Sequence, residues 1–518
     1  MKSIELEVYR HLFSSVAEEM GAVLMRSSFS PNIKERRDFS CAIFDARGEM
    51  VAQAAHIPVH LGSTPMSVAA AMASVEMEDG VHVILNDPYA GGTHLPDITL
   101  VSPVYVDDEL RFFVANRAHH ADVGGGRPGS LAVSEYVDDE GIRIGPTVWS
   151  EEVVERIASA SRTPQERRGD LRAQWAANQR GIRRLSQEMA ARGPALVEAA
   201  QALQDHGESY MKAALAEMPH GQWSFEDALE GDGYEERDIP IAVTLSLGPG
   251  RGVVDFHGSA DQVRGPLNVP RAVTVSAALY CFRCLMGPEL PTNGGYMRCV
   301  EVRTPAGSVV DARPPAPVAL GNVETSQRIT DVVLGAMAKA MPERIPAASC
   351  GTMNNLTIGG IGADGEAFAY YETIGGGSGA GPTYDGAHGV QTHMTNTLNT
   401  PVEALERAYP FRVEAYERRR DSGGEGARRG GDGVRRRYVF EAAAEVTIMA
   451  ERRRLRPYGL QGGAPGAPGA QWRVGVDGVK RPLPAKGSVE VEAGDEVIIE
   501  TPGGGGWGDQ KRQRTPSD

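Results

Sequence analysis

The feature that most constrains the fold is residues 85–130, because their pattern is that of a β-hairpin with histidines at both ends. Two apolar runs, Ile98–Val106 and Leu110–Ala115, are joined by a short acidic turn. Apolar runs around such a turn are typical of paired antiparallel strands. A hairpin brings its two ends together. The glycine-rich loops Ala90–Asp97 and Arg117–Gly126 are therefore predicted to be neighbours.

These two loops carry the residue types from which metal sites are built. His94 and Asp97 lie in the first loop, and His119, His120 and Asp122 lie in the second. Two imidazoles and one carboxylate suit Mn²⁺, Fe²⁺ or Zn²⁺ and leave positions open for water or substrate. Histidine and aspartate are also common in turns that only cap a sheet. The spacing alone leaves both interpretations open.

The charge balance excludes two classes of partner. A net charge of −15 argues against nucleic acid, which needs a basic surface, and against anionic membranes. No apolar run approaches the roughly 18 residues of a membrane span. The glutamate-rich N-terminus lacks the apolar core of a signal peptide. Five cysteines in 518 residues make no disulfide framework, so we expect a soluble protein in the reducing cytoplasm.

Other chemistry-bearing residues have structural interpretations. His56 and His60 are four residues apart, but the proline between them disfavours a helix, and packed core histidines are the favoured interpretation. Cys281 and Cys284 form a lone C-x-x-C in an apolar, helix-like run, where buried thiols are favoured over a redox or metal role. Residues 164–205 have a helical pattern with arginines on one face, which is either solvated or a docking surface.

Along the chain, these patterns predict an α+β fold with several domains, mixed β-sheets and flanking helices. We expect a metal-site α+β domain at 1–218 and a central α+β domain at 219–420. A β-rich domain with a glycine–arginine-rich loop should occupy 421–518. The 62 glycines fit a turn-rich protein better than a helical bundle.

The glycine-rich loop 374–390 does not have the sequence of a nucleotide site. It lacks the G-x-x-x-x-G-K-[ST] ending, and no G-x-G-x-x-G opens a helix after a strand. We therefore expect no autonomous ATP site in this chain.

Several long segments resemble the B-type subunit of the hydantoinase/oxoprolinase family. They include SPNIKERRDFSCAIFDARGEMVAQAAHIPVHLGS (30–63), NDPYAGGTHLPDITLVSP (86–103) and AHHADVGGGRPGS (118–130), followed by 399–413, 421–433 and 456–463. The likeness therefore covers nearly the whole chain in the same order. That family includes N-methylhydantoinase, 5-oxoprolinase, caprolactamase, and the acetone and acetophenone carboxylases.

The resemblance implies a set of metal ligands. Metal-bearing members use a His-x-x-Asp turn and a later histidine, which fall on His94, Asp97 and His119 here, and Asp38 corresponds to a further acidic ligand. Beside them, His120 and the nearby Asp122 are candidates for orienting the ligands or for general acid–base catalysis. Which of the two adjacent histidines binds the metal is open from the residues, and the family spacing favours the first.

The resemblance also implies a partner. In that family ATP belongs to a separate A-type subunit with an actin-like fold, so this chain would work in a hetero-oligomer whose partner uses ATP and Mg. The expected function is ATP-dependent hydrolysis of a cyclic amide (a hydantoin, 5-oxoproline or a lactam), with Mn, Zn or Fe in this chain. A ketone carboxylase subunit and a non-catalytic scaffold are the alternatives. The intact His94, Asp97 and His119 weigh against the scaffold.

Overall fold

The structure is a computed structural model that describes residues 3–54, 57–60, 62–287, 289–362 and 365–509. The described residues form four β-sheets with flanking helices, which confirms the predicted α+β class. The helices are α1 (Ser3–Ser27), α2 (Pro31–Lys34), α3 (Thr64–Ser74), α4 (Glu151–Ala160), α5 (Pro164–Arg192), α6 (Ala195–Glu217), α7 (Arg271–Leu285), α8 (Gly294–Met297), α9 (Ser326–Ala340) and α10 (Val402–Ala408). Within the described ranges, no helix is long and apolar enough to span a membrane.

The first sheet contains the predicted hairpin. Its strands are β1 (Phe39–Asp45), β2 (Met50–Gln53), β3 (Val83–Leu85), β4 (Asp97–Val106), β5 (Glu109–His119) and β6 (Thr147–Val148). They lie in the order β2-β1-β5-β4-β3-β6. Asp107 and Asp108 at the hairpin turn have φ of 56° and 60°, the left-handed pair that a tight hairpin turn needs to match the strand twist. The pairing places Asp97 opposite His119, which confirms the predicted hairpin.

Helices α1, α5 and α6 pack on this sheet. Phe13 and Met20 of α1 and Leu185 of α5 are fully buried in one cluster with Phe112 and Val114 of β5. Burying such side chains is the main term that favours folding, at about 1.5–3 kcal/mol each. The hairpin that carries the histidines is therefore held by a packed core along its length. The helices also confirm the helical prediction for residues 164–205.

The remaining strands build three further sheets. They are β7 (Gly221–Glu230), β8 (Asp238–Gly248), β9 (Arg251–Asp255), β10 (Val300–Arg303), β11 (Asn355–Ile361), β12 (Ala367–Glu372), β13 (Phe411–Arg418), β14 (Val434–Phe440), β15 (Ala444–Met449), β16 (Ala470–Val474), β17 (Lys480–Pro482), β18 (Lys486–Val491) and β19 (Glu496–Glu500). Their orders are β10-β9-β8-β7, β12-β11-β15-β18 and β13-β14-β19-β16-β17. The last two sheets take strands from both sides of residue 420, and the three-domain division stays a prediction.

The C-x-x-C pair lies on α7, as its apolar setting indicates. Cys281 is buried against the core, whereas Cys284 is exposed. Predicted burial is therefore right for the first thiol and wrong for the second. The reason is that α7 has one face on the core and the second cysteine lies at the helix end, off that face.

Glycine-rich segments outside the sheets form a bundle of extended chains, the glycine bundle, made of residues 376–389, 421–433, 456–467 and 502–508. Successive N–H groups of one chain bond to different neighbours, and the pattern repeats every third residue. Gly503 and Gly506 donate to the carbonyls of Ala467 and Ala464, while Gly504 donates to Gly431, at 2.9–3.1 Å. Three residues per turn is the geometry of a polyproline II helix.

The close packing of this bundle explains its composition. A Cβ on Gly504 would lie 2.0 Å from the Ser378 carbonyl oxygen, and one on Gly431 would lie 1.9 Å from the Ala387 carbonyl oxygen. Neither distance leaves room for any side chain. The glycines of these segments thus allow the backbones to pack against each other.

Candidate metal centre

Strand pairing brings three potential ligands to one point. Asp97 opens β4, His119 ends β5 directly opposite, and His94 lies in the turn before β4. His94 Nε2 lies 3.1 Å from His119 Nδ1 and 3.3 Å from Asp97 Oδ1. The distance between His119 Nδ1 and Asp97 Oδ1 is 3.1 Å. All three side chains are buried. The structure therefore brings together the predicted His-x-x-Asp turn and the later histidine.

The spacing of these atoms fits a divalent ion. With metal–ligand distances of about 2.1 Å, adjacent ligand atoms lie about 3.0–3.4 Å apart in octahedral or tetrahedral geometry. The three distances between the candidate ligand atoms are 3.1, 3.1 and 3.3 Å. Two imidazole nitrogens and one carboxylate oxygen arranged in this way could hold Mn²⁺, Fe²⁺ or Zn²⁺ and leave positions for water or substrate.

The second oxygen of Asp97 is held by groups that are not candidate ligands. Thr93 Oγ1 donates to Oδ2 at 2.5 Å, Asn322 Nδ2 donates at 3.3 Å, and His60 Nε2 lies 3.5 Å away. These contacts keep Oδ1 turned toward the imidazoles. Burial alone would raise the pKa of Asp97, but the surrounding histidines hold that pKa well below its usual range. The carboxylate is therefore in the ionised form that binds metal.

The orientation of His94 is set from a distant part of the chain. Its Nδ1 lies 3.1 Å from the Ala319 carbonyl oxygen, to which it donates, so Nε2 is left for the metal. The backbone N–H groups of Val318 and Ala319 donate to Glu140 Oε1 at 2.8 and 2.9 Å. Glu140 thus holds the backbone at Val318 and Ala319, and the Ala319 carbonyl in turn orients His94. Burial raises the pKa of Glu140 to about 8.

This raised pKa predicts a pH-dependent stability. A carboxyl group whose pKa is raised on folding contributes stability below its ordinary pKa and loses it as pH rises toward the folded value. Glu140 should therefore lower the urea midpoint as pH rises from 5 to 8, and this contribution is the difference in slope between the wild type and Glu140→Gln. Burial lowers the pKa of His60, His82, His120 and His393, and these histidines act in the opposite direction in both proteins. Burial, with Glu451 nearby, also raises the pKa of Glu324 to about 8, so Glu140→Gln should remove only part of the slope. The exposed Glu152→Gln is the control and should keep the whole slope; an equal effect of both variants would contradict the assignment.

His119 is clamped between β1, α2 and β12. Its ring stacks on Tyr371 with centroids 4.8 Å apart and planes at 23°. The backbone N–H of His119 donates to the Asp38 carbonyl at 3.0 Å, and the backbone carbonyl of His119 accepts from Asn32 Nδ2 at 2.6 Å. Among the described residues, its buried Nε2 has no hydrogen-bond partner. Nδ1 of His119 therefore faces His94 and Asp97, while Nε2 is free to bind another group.

A cavity of about 20 Å³ adjoins the cluster, and its lining includes Asp38, His60, His119, Asn322, Tyr371 and Thr395. Asp38 is buried on this wall but is not one of the three clustered residues. Its role as a further ligand therefore stays a prediction. The cavity has space for about one water molecule.

The structure does not bring the predicted acid–base residues to the cluster. His120 points to the other side of β5, where its Nε2 lies 2.9 Å from Gln174 Oε1 and its Nδ1 lies 2.9 Å from Arg167 Nη1. Burial, reinforced by that guanidinium, lowers the pKa of His120 to about 4. Asp122 accepts from the backbone of Gly124 and from Arg162 Nη1, both at 3.0 Å. Catalytic roles for both residues stay predictions, and these contacts favour orientation over proton transfer.

Sequence reasoning missed several groups that support the centre. His60 is buried, as predicted, and its Nδ1 lies 2.8 Å from Ser40 Oγ. The sequence did not predict that its Nε2 would lie beside Asp97. His56 lies outside the described residues. Asn322 belongs to a π-helical turn, Gly321–Thr325, just before α9. Such turns concentrate at functional sites, but no local sequence pattern marks them.

Fold and site together define a multi-sheet α+β protein with a buried His-Asp-His cluster, at the open end of a hairpin, that could hold a metal ion. Comparison with known proteins makes the assignment narrower. The family model described as hydantoinase B/oxoprolinase matches residues 2–510. The chain belongs to the hydantoinase B/oxoprolinase family, as the resemblance predicted.

Individual relatives agree with the family assignment. The chain is 41% identical to an uncharacterized protein of Methanocaldococcus jannaschii, with 98% of this chain and 91% of that protein covered. It is 40% identical to 5-oxoprolinase 1 of Arabidopsis thaliana, with 98% of this chain covered but only 42% of the plant protein. It is 38% identical to the 5-oxoprolinase of Dictyostelium discoideum, covering 98% of this chain and 40% of that protein. The chain thus spans less than half the length of these two 5-oxoprolinases.

Two solved structures share the fold. The ATP-dependent caprolactamase of Pseudomonas jessenii has a TM-score of 0.91 and 27% identity, with 98% of this chain and 91% of that chain covered. An acetone carboxylase in its nucleotide-free form has a TM-score of 0.89, with 98% of this chain and 76% of that chain covered. At 17% identity, the second likeness concerns the fold alone.

Proposed function

We propose that this chain is the metal-binding B-type subunit of an ATP-dependent cyclic-amide hydrolase, acting on substrate that a partner A-type subunit activates with ATP. The observation that carries the proposal is the buried triangle of His94, Asp97 and His119. Relatives named 5-oxoprolinase that are 38–40% identical over nearly the whole chain favour ring opening over ketone carboxylation. The carboxylase neighbour supports only the fold.

The need for a partner follows from what the chain lacks and what its relatives contain. The sequence carries no P-loop signature. The chain matches only 42% of the length of the plant 5-oxoprolinase, so the longer protein has ample chain for a second activity. The caprolactamase with the same fold is ATP-dependent by its description. We therefore assign ATP and Mg to the partner and the divalent Mn, Zn or Fe to this chain.

The reaction needs activation because amide resonance makes the ring carbonyl a poor electrophile. Transfer of a phosphoryl group from ATP to the amide oxygen leaves ADP and turns that oxygen into a leaving group. Water then adds to the carbon, and the C–N bond breaks with a proton passing to nitrogen, which leaves an acyl phosphate. A second water cleaves this acyl phosphate to the free acid and phosphate. A bound metal ion would supply Lewis-acid polarisation and acidify water at this step.

The chain's own residues prepare the site for that chemistry. Asp97 stays ionised, and its second oxygen is tied down by Thr93. His94 is locked by the Ala319 carbonyl, and His119 by its stacking on Tyr371. All three candidate ligands are buried, so bulk water has little access to the groups that would hold the metal.

The proposal is tested with the protein in its complex. The chain should be purified with the products of neighbouring genes, and ADP release measured against cyclic amides and ketones, with and without bicarbonate. We expect a cyclic amide to stimulate ADP release without bicarbonate and to give the ring-opened acid. Stimulation by a ketone that requires bicarbonate would assign a carboxylase instead. No stimulation by either, in a complex that hydrolyses ATP, would favour a scaffold.

A further inference from the structure

The metal centre is too enclosed to admit a substrate as it stands. Its cavity measures about 20 Å³, whereas pockets for small ligands are usually about 300–1,000 Å³. A second pocket of about 410 Å³ opens to the surface elsewhere. Its lining includes Glu18, Ala22, Met25, Arg37, Phe39 and Leu398. We call it the outer pocket, and its volume suits a small cyclic amide.

The outer pocket and the metal-site cavity share a wall. Arg37 and Phe39 line the outer pocket, while Asp38 between them lines the cavity. A second chain segment repeats the arrangement, because Thr395 lines the cavity and Asn396 lines the outer pocket. At both places residues that are adjacent in the chain line different compartments, so a single stretch of chain contributes to both.

Arg37 gives the outer pocket a positive group. Its side chain is exposed and, within the part of the chain that the structure describes, makes no hydrogen bond or ion pair. Its φ of 57° is left-handed, a conformation that non-glycine residues seldom adopt and that concentrates at functional sites. Glu18 is the acidic residue of the same lining. Ala22, Met25 and Leu398 supply apolar side chains to the lining.

We propose that the outer pocket is the port through which substrate reaches the metal centre, and that Arg37 binds the negatively charged group of that substrate. The inference rests on the proposed function. The anion could be the substrate's own carboxylate or the phosphoryl group added from ATP, and a guanidinium pairs with either in the same way. Passage requires the shared wall around Asp38 and Thr395 to move.

Two matched substrates distinguish the sources of the anion. 5-Oxoproline and 2-pyrrolidinone share one lactam ring, and only the first carries a carboxylate. If the anion is the carboxylate, Arg37→Gln in the active complex should raise KM about tenfold for 5-oxoproline alone, the usual worth of one charge-assisted hydrogen bond, with kcat little changed. If the anion is the phosphoryl group, which is added only after the amide binds, kcat should fall about tenfold with both substrates. Arg37→Lys should recover part of the loss.

The control for charge is Lys34→Gln, which removes an exposed cation outside the outer pocket and should change neither KM nor kcat. If both substitutions have the same effect, loss of positive surface charge explains it and the anion site is overturned. Unchanged KM and kcat in Arg37→Gln with every substrate that the complex turns over would also overturn it.

A second experiment needs no catalysis and tests the port itself. Leu398, half exposed at the outer pocket, is replaced by tryptophan, and the rate of Mn²⁺ uptake by the metal-free full-length chain is followed by electron paramagnetic resonance. Uptake should slow several-fold in Leu398→Trp and stay at the wild-type rate in Ile361→Trp, an exposed site outside the pocket. Equal uptake rates in both variants would reject the port while leaving the hydrolase assignment intact. A wild-type chain that takes up no Mn²⁺, Fe²⁺ or Zn²⁺ would reject the metal centre, and the port with it.

Discussion

Replacing His119 with alanine should empty the metal centre and abolish turnover. The variant leaves only His94 and Asp97 from the cluster, and loss of one of three protein donors should weaken Mn²⁺ binding by more than the roughly 10–100-fold typical of groups that only support a ligand. His94→Ala and Asp97→Ala should behave alike. Metal content by elemental analysis and Mn²⁺ titration of the purified chain give the readout.

The neighbouring residue His120 provides the matched control. It has the same chemistry and the next position on the chain, but its ring nitrogens face Gln174 and Arg167. His120→Ala should therefore keep metal and lose turnover through a shifted α5. The assignment is reversed if His120→Ala loses the ion and His119→Ala retains it. If neither variant changes metal content or rate, the hairpin site itself is wrong.

Gly504→Ala should cost the protein at least about 3 kcal/mol of unfolding free energy, the upper end of the range for overpacked interiors. The added Cβ would lie 2.0 Å from the Ser378 carbonyl oxygen. Backbone cannot rotate aside as a side chain can, and a shift would break the bond from Gly504 N–H to the Gly431 carbonyl at 2.9 Å. Urea unfolding measures the loss, and an insoluble variant would be the extreme form of the same result.

Gly145→Ala is the control for this variant, because its added Cβ would meet nothing within 4 Å. That substitution should change stability by less than about 1 kcal/mol, in either direction. If Gly504→Ala unfolded at the same urea concentration as Gly145→Ala, the close packing of the glycine bundle would be refuted.

Local patterns were enough to predict the hairpin and to bring the residues of its two end loops, His94 and Asp97 with His119 and His120, close together. The apolar runs around the acidic turn specify β4 and β5, and the pairing then places Asp97 opposite His119. The choice between His119 and His120 needed the strand register, because adjacent residues on a strand face opposite sides. The family spacing favoured His119, and the geometry places that residue in the cluster.

The supporting groups could not be predicted for a physical reason. The Ala319 carbonyl and Asn322 are each 225 residues from the side chain they contact, so no periodicity links them. The exposure of Cys284 depends on how α7 is turned against its neighbours. The glycine bundle could not be predicted because backbone hydrogen bonds specify it, whereas prediction from sequence relies on the spacing of apolar side chains.

The threefold repeat of the glycine bundle restricts how its segments can change in length. Inserting one residue before Gly504 would rotate all later residues by about a third of a turn, since a polyproline II helix has three residues per turn. The N–H groups that now reach Ala464 and Arg428 would then be aimed at the wrong neighbours. Only insertions or deletions in multiples of three keep the bonding directions. Although these tracts are of low complexity, their folded backbone therefore restricts changes in their length to steps of three residues.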